Sequence, residues 1–213
     1  MRIVIPIFDR FTALDAVGPY EVLSRLPGAE VTFAAAAAGP VRTDTGALAI
    51  TADAALDDID SCDVLTIPGG PGTRELMTDP QLIDWVTRIH PTTTWTTSVC
   101  TGSLLLGAAG LLNGLKATTH WAASDLLESL GATYTEERVV IEGKIITAAG
   151  VSAGIDMALT LAAKIAGDEI AQAIQLGIEY DPQPPFDAGA PSKAAPEIVE
   201  LVRALSADRA STQ

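Results

Sequence analysis

The sequence predicts a single-domain α/β protein with a doubly wound, mostly parallel sheet flanked by helices. Three observations support this prediction. Short β-branched or apolar runs alternate with longer helix-forming runs, which is typical of βαβ units. The 213 residues suffice for one sizeable core, and 48% of them are hydrophobic while 19% are charged. Neither a repeat nor an interdomain linker is evident, so residues 1–213 are expected to form one domain.

The first half of the chain is predicted to contain three strands and two helices. The helix before the second strand is expected to break at Gly18-Pro19. The second strand contains alanines that favour helix, but Val31-Thr32-Phe33 leads into it and Gly39-Pro40 stops it. Asp79-Pro80 marks a helix start. The expected elements are strand 3–8, helix 14–26, strand 30–37, strand 64–67 and a helix from about 81 to 89.

The second half continues the same alternation. Gly131 is expected to end a helix, and Glu142-Gly143 to turn a β-hairpin. A proline-rich irregular segment, 182–191, precedes the last helix. The expected elements are strand 94–99, a helix from about 104, strand 117–119, helix 122–130, strands 138–141 and 144–147, and helices 153–165, 168–180 and 196–205.

Composition and charge argue against several classes of protein. The chain has 27 acidic against 13 basic residues, a net charge of −14, so it is expected to repel nucleic acid. No apolar run reaches membrane-spanning length, because Gly107 and Gly110 interrupt the longest one. Two cysteines without a CxxC spacing predict neither a disulfide framework nor a metal site. With reduced thiols and no signal-like start, the chain is expected in the cytoplasm.

Cys100 stands where a strand is expected to turn straight into a helix. Thr101-Gly102-Ser103 follows it and leads into an apolar run. A thiol on such a turn faces unpaired N–H groups of the first helical turn, which favour the reactive thiolate. A helix terminus supplies at most about 2 kcal/mol, whereas lowering a thiol pKa by about three units requires about 4 kcal/mol. A further hydrogen-bond donor is therefore needed, unless Cys100 is merely a buried structural cysteine.

Two carboxyl groups are candidates for that donor. Asp15 lies among apolar residues just before Gly18-Pro19, where a carboxyl can be held away from solvent. A protonated Asp15 can donate to the sulfur and later deliver a proton, and the two groups would titrate together. Asp15 could instead be only a helix N-cap, and Glu21 is a competing candidate. Spacing alone does not decide between Asp15 and Glu21.

Two glycines and one hydroxyl complete the candidate site. Gly69 and Gly70 follow strand 64–67, where glycine lets the backbone approach a ligand. Their N–H groups could form an oxyanion-type pocket, with a plain turn as the alternative. Thr101 places a hydroxyl beside the thiol, either to bind water or substrate or to cap the helix.

The other thiol and the two histidines are weaker candidates. His120 follows a short strand that could neighbour the Cys100 strand, so a Cys–His pair is conceivable, with a hydrogen-bonded structural histidine as the alternative. His90, before Pro91, is expected to be exposed and inert. Cys62 precedes a strand and is expected to be structural.

Segments along nearly the whole chain resemble the ThiJ/PfpI superfamily of glutamine-amidotransferase-like cysteine proteins, and within it the isonitrile hydratases. SVCTGS with the downstream ATTHW is the most specific of these matches. The segments are LDAVGPYEVL at 14–23, IPGG at 67–70, SVCTGSLLLGAAGLL at 98–112, ATTHWA at 117–122, ERVV at 137–140, AGIDMALTLAA at 153–163 and EYDPQPPFDAG at 179–189.

The resemblance implies a flavodoxin-like fold of the class I glutamine amidotransferase type. It also implies an enzyme that hydrates a small-molecule isonitrile to an N-substituted formamide without a metal or organic cofactor. By position, Cys100 matches the nucleophile, Asp15 the general acid/base, and Thr101 a residue that holds water or substrate. The family further suggests a homodimer with the active site near the interface. This match favours Asp15 over Glu21.

Departures from the superfamily pattern bear on the alternatives. Its cysteine peptidases usually have histidine directly after the nucleophile, whereas this chain has Thr101. The parkinsonism-associated relative and its glyoxalase-like kin have glutamate at the position of Asp15. A redox-responsive or glyoxalase-like cysteine protein and a non-catalytic ligand-binding module of the same superfamily are the alternative functions.

Overall fold

The computed structural model describes the backbone of residues 1–211 and the side chains of residues 1–205. Two compact units are present, Met1–Ile178 and Glu179–Gln213. The first contains the sheet and all candidate site residues. The second contains the proline-rich segment and a helix, Pro196–Ser211. That residues 1–213 form one domain therefore stays a prediction. Among the described residues, no helix is long and apolar enough to cross a membrane.

The predicted α/β architecture is confirmed. Within the described residues seven strands form the central sheet, in the order β10-β11-β7-β6-β1-β2-β5, and all but β10 run parallel. Two smaller sheets pair β3 with β4 and β8 with β9. The strands are β1 (Arg2–Pro6), β2 (Glu30–Ala35), β3 (Gly39–Arg42), β4 (Ala49–Ala52), β5 (Ala54–Ala55), β6 (Val64–Ile67), β7 (Trp95–Val99), β8 (Lys116–Ala117), β9 (Thr133–Tyr134), β10 (Val139–Glu142) and β11 (Ile145–Ala148).

Helices cover both faces of this sheet. Neighbouring strand residues such as Ile3 and Val4 point to opposite faces, so one apolar cluster joins the sheet to α3, α4 and α5 and another joins it to α1, α6 and α7. The helices are α1 (Ala13–Leu23), α2 (Thr73–Leu76), α3 (Pro80–Ile89), α4 (Gly102–Ala108), α5 (Ser124–Ser129), α6 (Ala153–Ala166), α7 (Asp168–Gly177) and α8 (Pro196–Ser211), with short 3₁₀ turns at 56–58, 90–92 and 121–123.

Local signals in the sequence located most elements correctly. The Asp79 carboxylate accepts from the N–H of Gln81 at 2.8 Å, which confirms the predicted start of α3. The alanine-rich segment forms the end of strand β2, because β2 pairs with β1 from Glu30 to Ala34 and with β5 at Ala34 and Ala35. Gly143 has a φ of +59° in the predicted hairpin between β10 and β11. The hairpin of β3 and β4 was not predicted.

The expected break at Gly18-Pro19 is wrong, because α1 continues through Pro19. Proline removes one helical hydrogen bond, but tertiary packing offsets that loss here. A Cβ on Gly18 would lie 3.1 Å from Ile155 of α6, and one on Gly154 of α6 would lie 3.2 Å from Pro19. The two helices therefore approach closely at these small residues.

The register of the parallel strands brings three chain segments together. Ile67 of β6 lies opposite Ser98 of β7, and Val99 of β7 lies opposite Ala148 of β11. The segments that follow these strands, 68–70, 100–102 and 149–151, consequently leave the sheet side by side at the carboxyl ends of the strands. Ligands bind in this position in open α/β sheets.

The contact between α1 and α6 is expected to set a large part of the domain's stability. A Gly154→Val substitution places methyl groups where Pro19 of α1 lies 3.2 Å and Val99 of β7 lies 3.0 Å from the added Cβ. We expect it to lower the free energy of unfolding by about 1–3 kcal/mol through overpacking. Urea denaturation followed by circular dichroism measures this.

The matched control is Gly177→Val at the end of α7, where an added Cβ meets nothing within 4 Å. We expect its effect to stay within about 0.5 kcal/mol. Equal effects of the two substitutions would show that the α1–α6 contact is not tightly packed.

Candidate active site

Cys100 occupies a strained turn between β7 and α4. Its φ is +55°, a left-handed conformation that costs a non-glycine residue about 1–2 kcal/mol. Its N–H donates to the carbonyls of Ala148 and Ala149 at 3.1 and 3.0 Å. Its carbonyl accepts from the hydroxyls of Thr119 and Ser103 at 3.0 and 3.1 Å. These contacts fix the turn and hold the thiol at the carboxyl ends of the strands.

Burial and, to a lesser extent, the nearby Asp15 charge raise the pKa of the Cys100 thiol to about 12. Hydrogen bonds from the backbone N–H groups of Val151 and Thr101 to the sulfur act in the opposite direction. The Thr101 N–H at the start of α4 therefore favours the thiolate, as expected, but burial outweighs it in the resting site. Cys100 is only 5% exposed. Two hydrogen-bond donors do not replace the water that a thiolate would lose in this position.

Asp15 is fully buried in the first turn of α1. Its Oδ2 accepts from the N–H of Gly69 at 2.9 Å, whereas Oδ1 has no hydrogen-bond partner among the described residues. Burial raises the pKa of this carboxyl to about 7, the Gly69 N–H and the Cys100 side chain lower it, and the charge of Asp44 raises it. The carboxyl can therefore hold or release a proton near neutral pH.

The structure brings Asp15 and Cys100 into one coupled pair. Each side chain changes the pKa of the other, and both are raised by burial. Two negative charges in this place would be strongly unfavourable, so near neutral pH the pair holds at least one proton. Such a pair can form a sulfur nucleophile only while the carboxylate takes up the thiol proton.

Gly69, Gly70 and Thr101 pack against one another beside this pair. The Thr101 hydroxyl accepts from the N–H of Gly70 at 2.9 Å and donates to its carbonyl at 3.2 Å. The N–H of Gly69 donates to Asp15. Both glycine N–H groups are thus engaged by site side chains, and an oxyanion-type pocket would require them to exchange these acceptors. That pocket stays a prediction.

Gly69 lies where no side chain fits. A Cβ there would be 2.5 Å from the backbone nitrogen of Thr101 and 2.9 Å from Oδ2 of Asp15. Only glycine allows the loop after β6 to approach both groups closely enough for its N–H to bind the carboxylate.

Glu21, the competing carboxyl, lies two turns further along α1. Its side chain is 46% exposed and pairs with Arg25 at 2.7 Å. The buried Asp15, not Glu21, therefore adjoins the thiol. Cys62 is a free cysteine buried in the core, and burial raises the pKa of its thiol to about 12.

His120 borders the site without a hydrogen bond to Cys100 among the described contacts. Its Nδ1 accepts from the N–H of Ala122 at 3.3 Å, and its ring stacks on Trp121 with centroids 5.5 Å apart. Burial lowers its pKa, and the charge of Arg74 does so too. The ring packs against Gly150, next to Val151. His90 is half-buried and not exposed as expected, and its Nδ1 lies 2.8 Å from the Thr96 hydroxyl. That it is chemically inert stays a prediction.

Two site groups were missed by sequence reasoning. The N–H of Val151 hydrogen-bonds to the sulfur, and the hydroxyl of Thr119 holds the Cys100 carbonyl. A backbone donor leaves no signature in residue type. The position of Val151 just after β11 was the available signal, since β11 pairs with β7. Among the described residues, no group of three His, Cys, Asp or Glu side chains is placed to bind a metal.

A sequence model of the DJ-1/PfpI family matches residues 1–164. The chain belongs to this family. Among curated DJ-1/PfpI relatives, the isonitrile hydratase of Pseudomonas putida is 44% identical over 201 residues, which cover 94% of this chain and 88% of that protein. The HTH-type transcriptional regulator CdhR of Pseudomonas aeruginosa is 31% identical over 173 residues, which cover 79% of this chain and 51% of the regulator.

A solved structure of the DJ-1/PfpI type agrees closely with the fold described here. The crystal structure of a ThiJ/PfpI family protein from Pseudomonas syringae superposes with a TM-score of 0.93 at 38% identity, covering 99% of this chain and 87% of that one.

Asp15→Asn is expected to stabilise the fold at high pH. The unfolded carboxyl ionises at its ordinary value of 3.8, whereas the folded one holds its proton up to about pH 7. The wild type therefore loses stability as pH rises through this interval, and loses no more above it. Asparagine does not titrate. We therefore expect the free energy of unfolding of the variant, relative to that of the wild type, to rise by up to about 4 kcal/mol from about pH 4 to about pH 8. Urea denaturation at both pH values measures this gain.

Glu21→Gln is the control, because it removes an exposed carboxyl from the same helix. Its difference from wild type should stay nearly constant across the interval. The interpretation fails if Asp15→Asn behaves in the same way.

Proposed function

We propose that this chain is an isonitrile hydratase, an enzyme that adds water to an isonitrile to give an N-substituted formamide. The observation that supports it most is the buried pair of Cys100 and Asp15, in which Oδ1 of Asp15 is free to exchange a proton. The 44% identity to the isonitrile hydratase of Pseudomonas putida supports assigning isonitrile hydration to this pair.

In the first step the Cys100 sulfur attacks the terminal carbon of the isonitrile. The Asp15 carboxylate takes the thiol proton as the S–C bond forms and passes it to the same carbon. The product is a covalent thioimidate, R–N=CH–S–Cys100, and the carboxylate is ionised again. The Val151 and Thr101 N–H groups stabilise the charge that develops on sulfur during attack.

In the second step water adds to the thioimidate carbon. Asp15 accepts a proton from the water and delivers it to the substrate nitrogen. The tetrahedral adduct R–NH–CH(OH)–S–Cys100 then expels the sulfur while Asp15 passes the hydroxyl proton of the adduct to it, and the formamide R–NH–CHO leaves. Atoms balance over the cycle as one isonitrile plus one water, and neither side chain is consumed.

Thr101 and the two glycines are proposed to support this chemistry by positioning. The Thr101 hydroxyl is bonded to both polar groups of the Gly70 backbone. It therefore holds the loop whose Gly69 N–H fixes Asp15. Its expected role in binding water or substrate stays a prediction, and the unpartnered Oδ1 of Asp15 is the group better placed to bind the water.

We further propose that the enzyme is a homodimer that acts in the cytoplasm and needs no cofactor. Free thiols at both Cys62 and Cys100 suit a reducing compartment. The acidic charge of −14 disfavours nucleic acid as a partner.

Cys100→Ala and Cys100→Ser should both abolish hydration of an aryl isonitrile, because the covalent intermediate cannot form. Asp15→Asn should fold and lose about 10²- to 10⁴-fold in kcat, the usual contribution of general acid–base catalysis. Spectrophotometric loss of the isonitrile measures turnover, and mass spectrometry after rapid quenching detects the adduct on Cys100.

Cys62→Ala is the matched control, because it removes the other buried thiol. It should retain near wild-type kcat. Substantial turnover by Cys100→Ala would refute the covalent route.

The pH dependence follows from the one-proton requirement. Below about pH 7 the Asp15 carboxyl becomes protonated while Cys100 remains a thiol. That doubly protonated pair has no base to activate the sulfur. We expect kcat/KM to rise with pH, with a midpoint near pH 7, and then to level off. Initial rates across this range measure it, and a rate that falls as pH rises would contradict the assignment.

A further inference from the structure

Thr12 precedes α1 but does not cap it. A threonine in this position normally accepts a hydrogen bond from an N–H of the first helical turn. Here the hydroxyl makes no capping bond and instead donates to Oδ2 of Asp44 at 3.0 Å. The capping contact has thus been exchanged for a contact with a carboxylate from a distant part of the chain.

Asp44 is held against Thr12 by backbone as well as side-chain contacts. The N–H of Asp44 donates to the carbonyl of Phe11 at 2.9 Å, and that of Arg10 donates to the carbonyl of Arg42 at 3.0 Å. Phe11 and Thr43 form an isolated parallel bridge. Residues 10–12 and 42–44 therefore make a short ladder that joins the β3–β4 hairpin to the start of α1.

The same threonine reaches the active-site loop through its backbone. The N–H of Thr12 donates to the carbonyl of Gly69 at 2.9 Å, and the N–H of Gly69 donates to Asp15. A continuous chain of hydrogen bonds thus leads from Asp44 through Thr12 and Gly69 to the Asp15 carboxylate.

Asp44 also acts on Asp15 through its charge, which raises the pKa of the buried carboxyl. Among the residues whose side chains are described, Cys100 is the other titratable group that shifts this pKa. Arg42 of β3 donates to the carbonyl of Gly46 at 2.8 Å, and the charge of Arg74 of α2 acts on His120. Further charged groups on neighbouring elements form ion pairs. Those pairs join Arg10 with Glu75 of α2, Asp156 of α6 with Arg138, and Glu21 with Arg25.

We propose that Thr12 and Asp44 are positioning residues for Asp15: Thr12 anchors the start of α1 to the Gly69 loop, and Asp44 holds Thr12 in place and supplies a fixed negative charge that acts on Asp15. This inference rests on the proposed role of Asp15 as general acid/base. It assigns a function to the β3–β4 hairpin, which lies outside the central sheet.

Asp44→Asn tests the charge. Asparagine still accepts a hydrogen bond from Thr12, so the ladder is retained while the charge is lost. The midpoint of Asp15 protonation should fall by about half to one pH unit, as expected for a charge removed at short range near the protein surface. The carboxylic acid C=O stretch in infrared difference spectra, assigned by its loss in Asp15→Asn, measures this midpoint without substrate. The midpoint of kcat/KM should move equally.

Asp53→Asn is the matched control, because it removes the same charge from the exposed residue that follows β4. Its midpoint should equal that of the wild type. Equal midpoints in Asp44→Asn and Asp53→Asn would overturn the role of Asp44. If Asp44→Asn is too unstable to titrate, Asp44→Ser serves the same test.

Thr12→Val tests whether the hydroxyl contact with Asp44 keeps this anchor in place, because valine keeps the shape of threonine and its backbone N–H to Gly69 but lacks the hydroxyl. We expect the plateau value of kcat to fall several-fold with little change in KM, and Thr12→Ser to restore it. A Thr12→Val enzyme with a wild-type plateau would overturn the role of Thr12.

The spectroscopic readout separates failure of this inference from failure of the proposed function. If the wild type leaves isonitriles unchanged, the proposed hydration is refuted, while a shifted Asp15 midpoint in Asp44→Asn still supports the role of Asp44. If the wild type is active but Asp44→Asn has an unshifted midpoint, only the role of Asp44 is refuted.

Discussion

A carboxyl group buried away from bulk solvent is the constraint on which the site depends. Ionising Asp15 there is costly, because the Gly69 N–H and the Cys100 side chain offset only part of the lost hydration and Oδ1 has no hydrogen-bond partner among the described residues. Burial acts in the same way on the Cys100 thiol. In the proposed mechanism the two groups therefore exchange one proton, and the sulfur becomes nucleophilic during the reaction.

Backbone groups make most of the contacts that hold Cys100 and Asp15 in position. Strands β6, β7 and β11 end together, and the peptide groups that follow them supply the contacts of the site. The strained turn at Cys100 has two carbonyl acceptors on one side and two hydroxyl donors on the other. A left-handed cysteine persists because these surroundings determine its conformation. The side chains that react are few, and the main chain that orients them is extensive.

The sequence predicted what local chemistry determines and missed what tertiary structure determines. The cap at Asp79 and the turn at Gly143 depend only on residues next to them in the sequence, so both were identified correctly. Pro19 was wrongly expected to break a helix. Its packing against α6, which keeps the helix intact, involves residues far away in the sequence. The Val151 N–H and the Asp44 carboxylate reach the site only through strand pairing and a hairpin. The burial of Asp15 was expected from its apolar neighbours, but the local pattern did not show that burial of Cys100 outweighs the N–H groups that favour its thiolate.

The two edges of the central sheet have a consequence for association between chains. An exposed edge strand is a template on which another polypeptide can add by backbone hydrogen bonding. One edge here is β5, only two residues long, and the other is β10, which is four residues long and ends in Glu142. The long apolar strands lie between them. The folded protein therefore disfavours strand addition and fibrillar aggregation. The inner strands of the sheet are apolar and would favour both processes if they were exposed.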